Sequence, residues 1–128
     1  WPGRGNLHFY NPCGVAVLED GNLVVSDKDN HRLQIVTVDG IFVRTIGSHG
    51  SSNQQFRCPC GVAVLEDGNL VIVCDRDNDR LQILTVGGKF VHTMPCHRPL
   101  SVAVLDRDHV AVGIGAPHHH IDVVRVSG

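Results

Sequence analysis

GVAVLEDGNLVVSDKDNHRLQIVTVDGIFVRTI, residues 14–46, returns at residues 61–94 as GVAVLEDGNLVIVCDRDNDRLQILTVGGKFVHTM. Gly14 aligns with Gly61, Asp20 with Asp67 and Leu23 with Leu70, a period of 47. An extra residue, placed by this alignment near Val73, carries Asp29 onto Asp77 and Arg32 onto Arg80 at 48. A weaker third copy begins at Pro99 with SVAVLDRDHVAV, in which Val102 corresponds to Val62. Self-similarity at this period indicates a solenoid, propeller or array, whose units bury their apolar faces against one another.

Each unit divides into four short apolar runs. In the first copy they are Val15–Leu18, Leu23–Ser26, Leu33–Val38 and Ile41–Ile46. Val and Ile dominate these runs, which are too short for helices and lack a 3.6-residue period. Asp20-Gly21 and Asp39-Gly40 supply the Asp-Gly step of a tight hairpin. Asp27-Lys28-Asp29-Asn30-His31 makes the middle turn, and its Asp and Asn side chains can bond nearby backbone. The pattern predicts an all-β chain of four-stranded antiparallel meanders joined by Gly/Ser/Pro linkers, the repeat of a β-propeller blade.

The pieces resemble NHL repeats: a Pro shortly before Gly-Val-Ala-Val, then Asp-Gly-Asn-Leu, then Asp-x-x-Asn-x-Arg-hydrophobic-Gln-hydrophobic. They stand here as Pro12, Gly14–Val17, Asp20–Leu23, Asp27, Asn30 and Arg32–Ile35, and again as Pro59, Gly61–Val64, Asp67–Leu70, Asp75, Asn78 and Arg80–Ile83. The third copy departs, with Val112-Gly113-Ile114-Gly115 in place of the Asp and His120-Ile121 in place of Arg-Leu. The expected organisation is a linker over 1–13, a blade and linker over 14–60, a second over 61–98, and an incomplete blade over 99–128 that lacks its fourth strand. The chain starts at Trp1 and its single methionine is Met94, so it reads as two and three-quarter blades of a larger array, completed by missing blades or by self-association.

Charge and cysteine content narrow the function. Eleven Lys and Arg against thirteen Asp and Glu give a net charge of −2. That balance favours a protein partner over RNA, whose binding face is a basic patch with few carboxylates. No apolar run approaches the ~18 residues of a membrane span. The five cysteines are odd in number, and Cys13 and Cys60 hold equivalent positions that suit packing rather than bridging. The expectation is a reduced, cytoplasmic location. Cys58-Pro-Cys60 lacks zinc-site spacing, successive histidines at 118–120 do not converge on one ion, and DKDND lacks the glycine and twelfth ligand of a calcium loop, so no metal or cofactor is assigned.

Alternating strand direction sorts the loops onto two sides. The hairpin side collects Glu19, Asp20, Asp39, Glu66, Asp67, Asp106 and Asp108. The linker side collects most of the Arg and His residues (Arg4 among them) mixed with acids, and the aromatics Phe9, Tyr10 and Phe56. Long loops on a repeat scaffold carry binding. The candidate ligand-binding face is therefore Phe9, Tyr10, Arg57, Arg76 and Arg98, with Lys28 and His49 at its rim. Asp27, Asn30 and Arg32, with Asp75, Asn78 and Arg80, read as a structural signature in which Asp caps the turn and Arg reaches the neighbouring loop; catalysis seldom repeats in every blade. Phe56 reads as a plug between blades. Without a nucleophile–base pairing or phosphate loop, the chain is expected not to be an enzyme. The NHL resemblance implies a target-recognition propeller of a tripartite-motif ubiquitin ligase. Its alternatives are a peptidyl-amidating lyase-type propeller enzyme and an extracellular sensor.

Overall fold

Alternating Val, Ile and Ala of the first copy become strands β1 (Pro12–Val17), β2 (Leu23–Asp27), β3 (Arg32–Val36) and β4 (Phe42–Ile46), paired in sequence order in one antiparallel sheet. The computed structural model describes residues 5–65 and 68–126; Arg4, Glu66 and Asp67 lie outside them. Two short strands in the linker, β5 (Ser48–His49) and β6 (Gln55–Phe56), pair in parallel. The second sheet is β7 (Pro59–Val64), β8 (Leu70–Asp75), β9 (Arg80–Thr85) and β10 (Phe90–Pro95). The third has three strands among the described residues, β11 (Pro99–Val104), β12 (His109–Ile114) and β13 (His120–Arg125). This is a partial β-propeller, with the inner strands starting at Pro12, Pro59 and Pro99, ahead of the apolar run that begins at Val15 in the first copy.

Strand pairing moves the extra residue of the second copy. Val15 pairs with Val25 and Val62 with Val73, while Val17 pairs with Leu23 and Val64 with Val71. The insertion therefore sits in the β7–β8 hairpin, not within the strand near Val73. A hairpin absorbs one residue freely, whereas an insertion inside β8 would turn its core side chains outward.

Two apolar layers hold the blades together. Val24, Leu33, Ile35 and Ile46 of blade one pack on Val62, Val71, Val73 and Leu84 of blade two, with Phe56 from the linker buried among them. Ile72, Leu81 and Ile83, on the other face of blade two, pack on Val110, Val112 and Ile114 of blade three. Phe56 is the interblade plug that its linker position predicts.

The inner strands of blades one and two each come close to the next inner strand at a glycine. A Cβ on Gly14 would collide with the carbonyl of Cys60, and one on Gly61 would lie 2.7 Å from the Ser101 Cα and 2.9 Å from the Leu100 carbonyl. Backbone is the obstacle in both cases, so relaxation requires the blades to move apart. Gly61→Ala is expected to destabilise the chain by roughly 1–3 kcal/mol, the cost of overpacking. Gly87→Ala, whose nearest neighbour would be 3.7 Å away, should lie within about 0.5 kcal/mol of wild type. Chemical denaturation of both variants checks the contrast.

Candidate functional site

At the end of β8 the chain turns through a single 3-10 turn, Arg76–Asn78, and leaves it through Asp79 in the left-handed region at φ 51°. The first repeat does the same over Lys28–Asn30, with His31 at φ 53°. The Asp that opens each turn does not cap it, contrary to the capping role expected from the sequence. Each carboxylate instead crosses to the linker that enters the same blade. Asp75 Oδ1 accepts from the Arg57 amide at 2.8 Å and Asp27 Oδ1 from the Tyr10 amide at 2.7 Å. The turn itself closes on that linker, where the Asp77 amide donates to the Arg57 carbonyl and the Asp29 amide to the Tyr10 carbonyl, each at 3.0 Å.

The Arg of each signature completes the clamp. Arg80 Nε meets Asp75 Oδ2 at 2.8 Å, and its terminal nitrogens donate to the carbonyls of Ser51, Ser52 and Gln55 at 2.7–3.0 Å. Arg32 repeats this with Asp27 at 2.8 Å and with the carbonyls of Gly5 and His8. Asn78 and Asn30 donate to the same carboxylates at 2.9 and 3.0 Å. Asp27 and Asp75 are fully buried, and a buried carboxylate is tolerated only when paired and hydrogen-bonded.

Gln34 and Gln82 are further members of this network, to which the sequence reading gave no role. Gln82 accepts from the Gln54 amide at 3.1 Å and donates to the Gln55 carbonyl at 2.7 Å; Gln34 does the same with Leu7 and His8 at 3.0 and 2.9 Å. Both are buried at a polar position inside an apolar run, Leu-Gln-Ile, repeated in register. That interruption of the apolar pattern is the signal that finds them.

The clamp carries the candidate face on its outer side. Tyr10 and Arg57 bind it through backbone and leave their side chains exposed. Phe9 is half-buried at the position equivalent to Phe56. Lys28 lies 4.0 Å from Asp29, Arg76 2.8 Å and Arg98 3.7 Å from Asp77. His49 lies against His31, ring centroids 4.3 Å apart, and His31 Nδ1 accepts from the Cys58 amide at 3.0 Å. A cleft of about 470 Å³ opens there between Asp29, Asn30, His31, Arg32, Ser48 and His49. The Arg76 guanidinium, with burial opposing it and the Cys58 thiol and Arg98 assisting, holds the Asp77 carboxyl below the usual carboxylate range. Its contribution to stability is therefore present above the ordinary aspartate pKa and lost as pH falls through the lowered value.

The hairpin side carries a separate cleft of about 310 Å³, floored by Leu18 and Ile35 and edged by Glu19, Asp20, Arg44 and Val86. Arg44 is committed there to the Val86 carbonyl at 3.0 Å. On the third blade the rings of His97 and His118 lie 4.9 Å apart, and those of His118 and His120 6.1 Å. No group of three or more His, Cys, Asp or Glu among the described residues is arranged to hold a metal ion. No helix among them is long and apolar enough to cross a membrane. All five cysteines are free thiols. At the inner strands the neighbouring Cys60 thiol pulls Cys13 below the usual thiol range, while Cys13 and burial push Cys60 up.

The meanders and their repeated clamp define a class, a partial β-propeller, and residues 9–36 and 56–84 match the NHL repeat. Propellers of this repeat generally serve as protein-binding modules. No curated protein sequence matches the chain. Among solved structures, the chain is similar to Kuenenia stuttgartiensis hydrazine synthase (TM-score 0.73, 16% identity), with 98% of this chain and 36% of that one aligned. It is also similar to a putative exported protein of Bacteroides fragilis (TM-score 0.71, 18% identity, 82% and 30% covered) and to virginiamycin B lyase of Staphylococcus aureus (0.55, 12%, 90% and 41%). The chain thus spans well under half of each of these structures, and at such identities the likeness is one of fold.

Arg80→Ala leaves a buried carboxylate without its cation, so it should cost about 3–5 kcal/mol. Arg80→Lys keeps the charge but not the fork that reaches three carbonyls, and should recover less than half of that loss. Denaturant titration of the two variants measures both values.

Proposed function

We propose that this propeller segment is a non-catalytic target-recognition module of the tripartite-motif ubiquitin ligase kind, working in the cytoplasm and reading its target on the linker side. The observation that carries this reading is the repeated clamp. It fixes two long linkers from beneath and leaves Tyr10 and Arg57 directed outward, with His49, Lys28, Arg76 and Arg98 around them. Loops held in advance bind without paying the full ordering cost. A protein target is favoured over RNA because Lys28, Arg76 and Arg98 each have an aspartate beside them. A phosphate backbone would meet carboxylates at each of these cations.

Peptides selected from a displayed library on the immobilised chain provide the test. Reversing charge at Arg57 and Arg98 together (R57E/R98E) is expected to weaken the selected peptides roughly tenfold or more, about 1.4 kcal/mol. E19Q/D20N should leave them unchanged. The reverse pattern assigns binding to the hairpin-side cleft and contradicts the proposal. So does single-stranded RNA that binds more tightly than any selected peptide at physiological salt. The ligase connection is tested separately by the coding sequence upstream of Trp1: a RING and B-box support it and a secretory signal peptide contradicts it.

A further inference from the structure

Cys13 and Cys60 each follow the proline that opens an inner strand, Pro12 in blade one and Pro59 in blade two. Those strands run side by side, close enough that a Cβ on Gly14 would collide with the Cys60 carbonyl. Equivalent positions on adjacent strands therefore meet across the contact between the two blades. The Cys13 thiol reaches over it and donates to the Pro59 carbonyl at 3.5 Å, one peptide unit from the Cys60 Cα. The Cys60 thiol lies against that of Cys13 and also reaches the Cys58 carbonyl at 3.5 Å. Blade three has Leu100 after its Pro99, so the contact between blades two and three has no such pair.

The five thiols are not alike. Cys13 is pulled below the usual range, first by the Cys60 thiol, against burial and with Lys28 and Arg76 assisting. Cys58, Cys74 and Cys96 are pushed above it, each first by burial. The thiolate is the nucleophilic form of cysteine. Cys13 is thus the reactive sulfur, and Cys60 is the sulfur placed to answer it.

We propose that Cys13 and Cys60 are a peroxide-responsive pair, oxidised to a disulfide that ties the inner strands of blades one and two together. The Cys13 thiolate attacks one oxygen of a hydroperoxide; an S–O bond forms, the O–O bond breaks, and the departing oxygen takes up a proton. With hydrogen peroxide this leaves a sulfenic acid and one water. The Cys60 sulfur then attacks the Cys13 sulfur; the S–S bond forms, the S–O bond breaks, and the hydroxyl leaves with the Cys60 proton as a second water. The two thiols have lost two electrons and two protons to the peroxide. A thiol reductant reverses the bond by exchange. Both sulfurs belong to a contact within the chain, between two blades that are both present.

Hydrogen peroxide treatment of the 128-residue chain, followed by tryptic mapping without reductant, tests this. Cys13 falls in peptide 5–28, and Cys58, Cys60 and Cys74 in peptide 58–76. The expected product is one link between these peptides, removed by dithiothreitol. It should persist in C58S and in C74S, the latter a serine that blade one already carries at Ser26, and vanish in C13S and C60S. In C60S the unanswered sulfenic acid should accumulate, raising dimedone labelling of Cys13 at least ~10-fold over wild type. Fragmentation of the wild-type linked peptide assigns the bridged sulfur independently of any variant. Peptide 5–28 left unlinked, a bridge to Cys58 or Cys74, or a link that survives C60S overturns the proposal. So does a link formed between isotope-labelled and unlabelled copies rather than within one. None of these outcomes bears on the linker-side peptide site.

Discussion

A buried carboxylate at the end of the second strand in blades one and two is the constraint from which their linker side follows. Asp75 is sealed from solvent and accepts from Arg80, Asn78, Gln82 and the Arg57 amide. Asp27 does the same work with Arg32, Asn30 and the Tyr10 amide. The arrangement ties three segments that are distant in sequence: the incoming linker, the middle turn and the third strand. It also offsets a cost. Leu7, Asn11 and His31 in the first repeat, and Gln54, Cys58 and Asp79 in the second, are non-glycine residues at positive φ. Such conformations cost of order 1–3 kcal/mol each and persist where their surroundings over-determine them.

Rigidity on one side of the blade and close approach at the inner strands are coupled. Gly14 and Gly61 allow neighbouring inner strands to meet backbone to backbone, and the plug Phe56 fills the wider gap further out. The outer hairpin of blade two then leans onto blade one, where Arg44 donates to Val86 and Gln54 to Gly88. On this frame some linker residues have a bound backbone and an exposed side chain. Tyr10 and Arg57 meet that description.

Much of this was legible in the sequence because the repeat writes each rule twice. The strands, the Asp-Gly hairpins, the rebuilt third turn and the buried Phe56 follow from local pattern and register. What the sequence did not yield depends on contacts between segments. The destination of the Asp27 and Asp75 carboxylates is one example, since an Asp before a turn reads locally as its cap. Gln34 and Gln82 are another, because their partners are linker backbone with no side-chain signature. The sequence does not fix the extra residue of the second copy, because the Leu70-Val71-Ile72-Val73 run aligns almost equally well one step along and only strand pairing separates the choices. Phe9 is ambiguous for a related reason: its position is the plug position of Phe56, yet it is half-buried rather than enclosed.

Hydrogen exchange on Asp75→Asn, followed by mass spectrometry, interrogates the clamp directly. If the carboxylate holds the linker, amides of residues 50–57 and of Asp77 lose protection in the variant, while those of β8 and β9 between Val71 and Leu84 stay slow. Linker protection equal to that of wild type, or loss of protection across blade two as a single unit, would contradict the account.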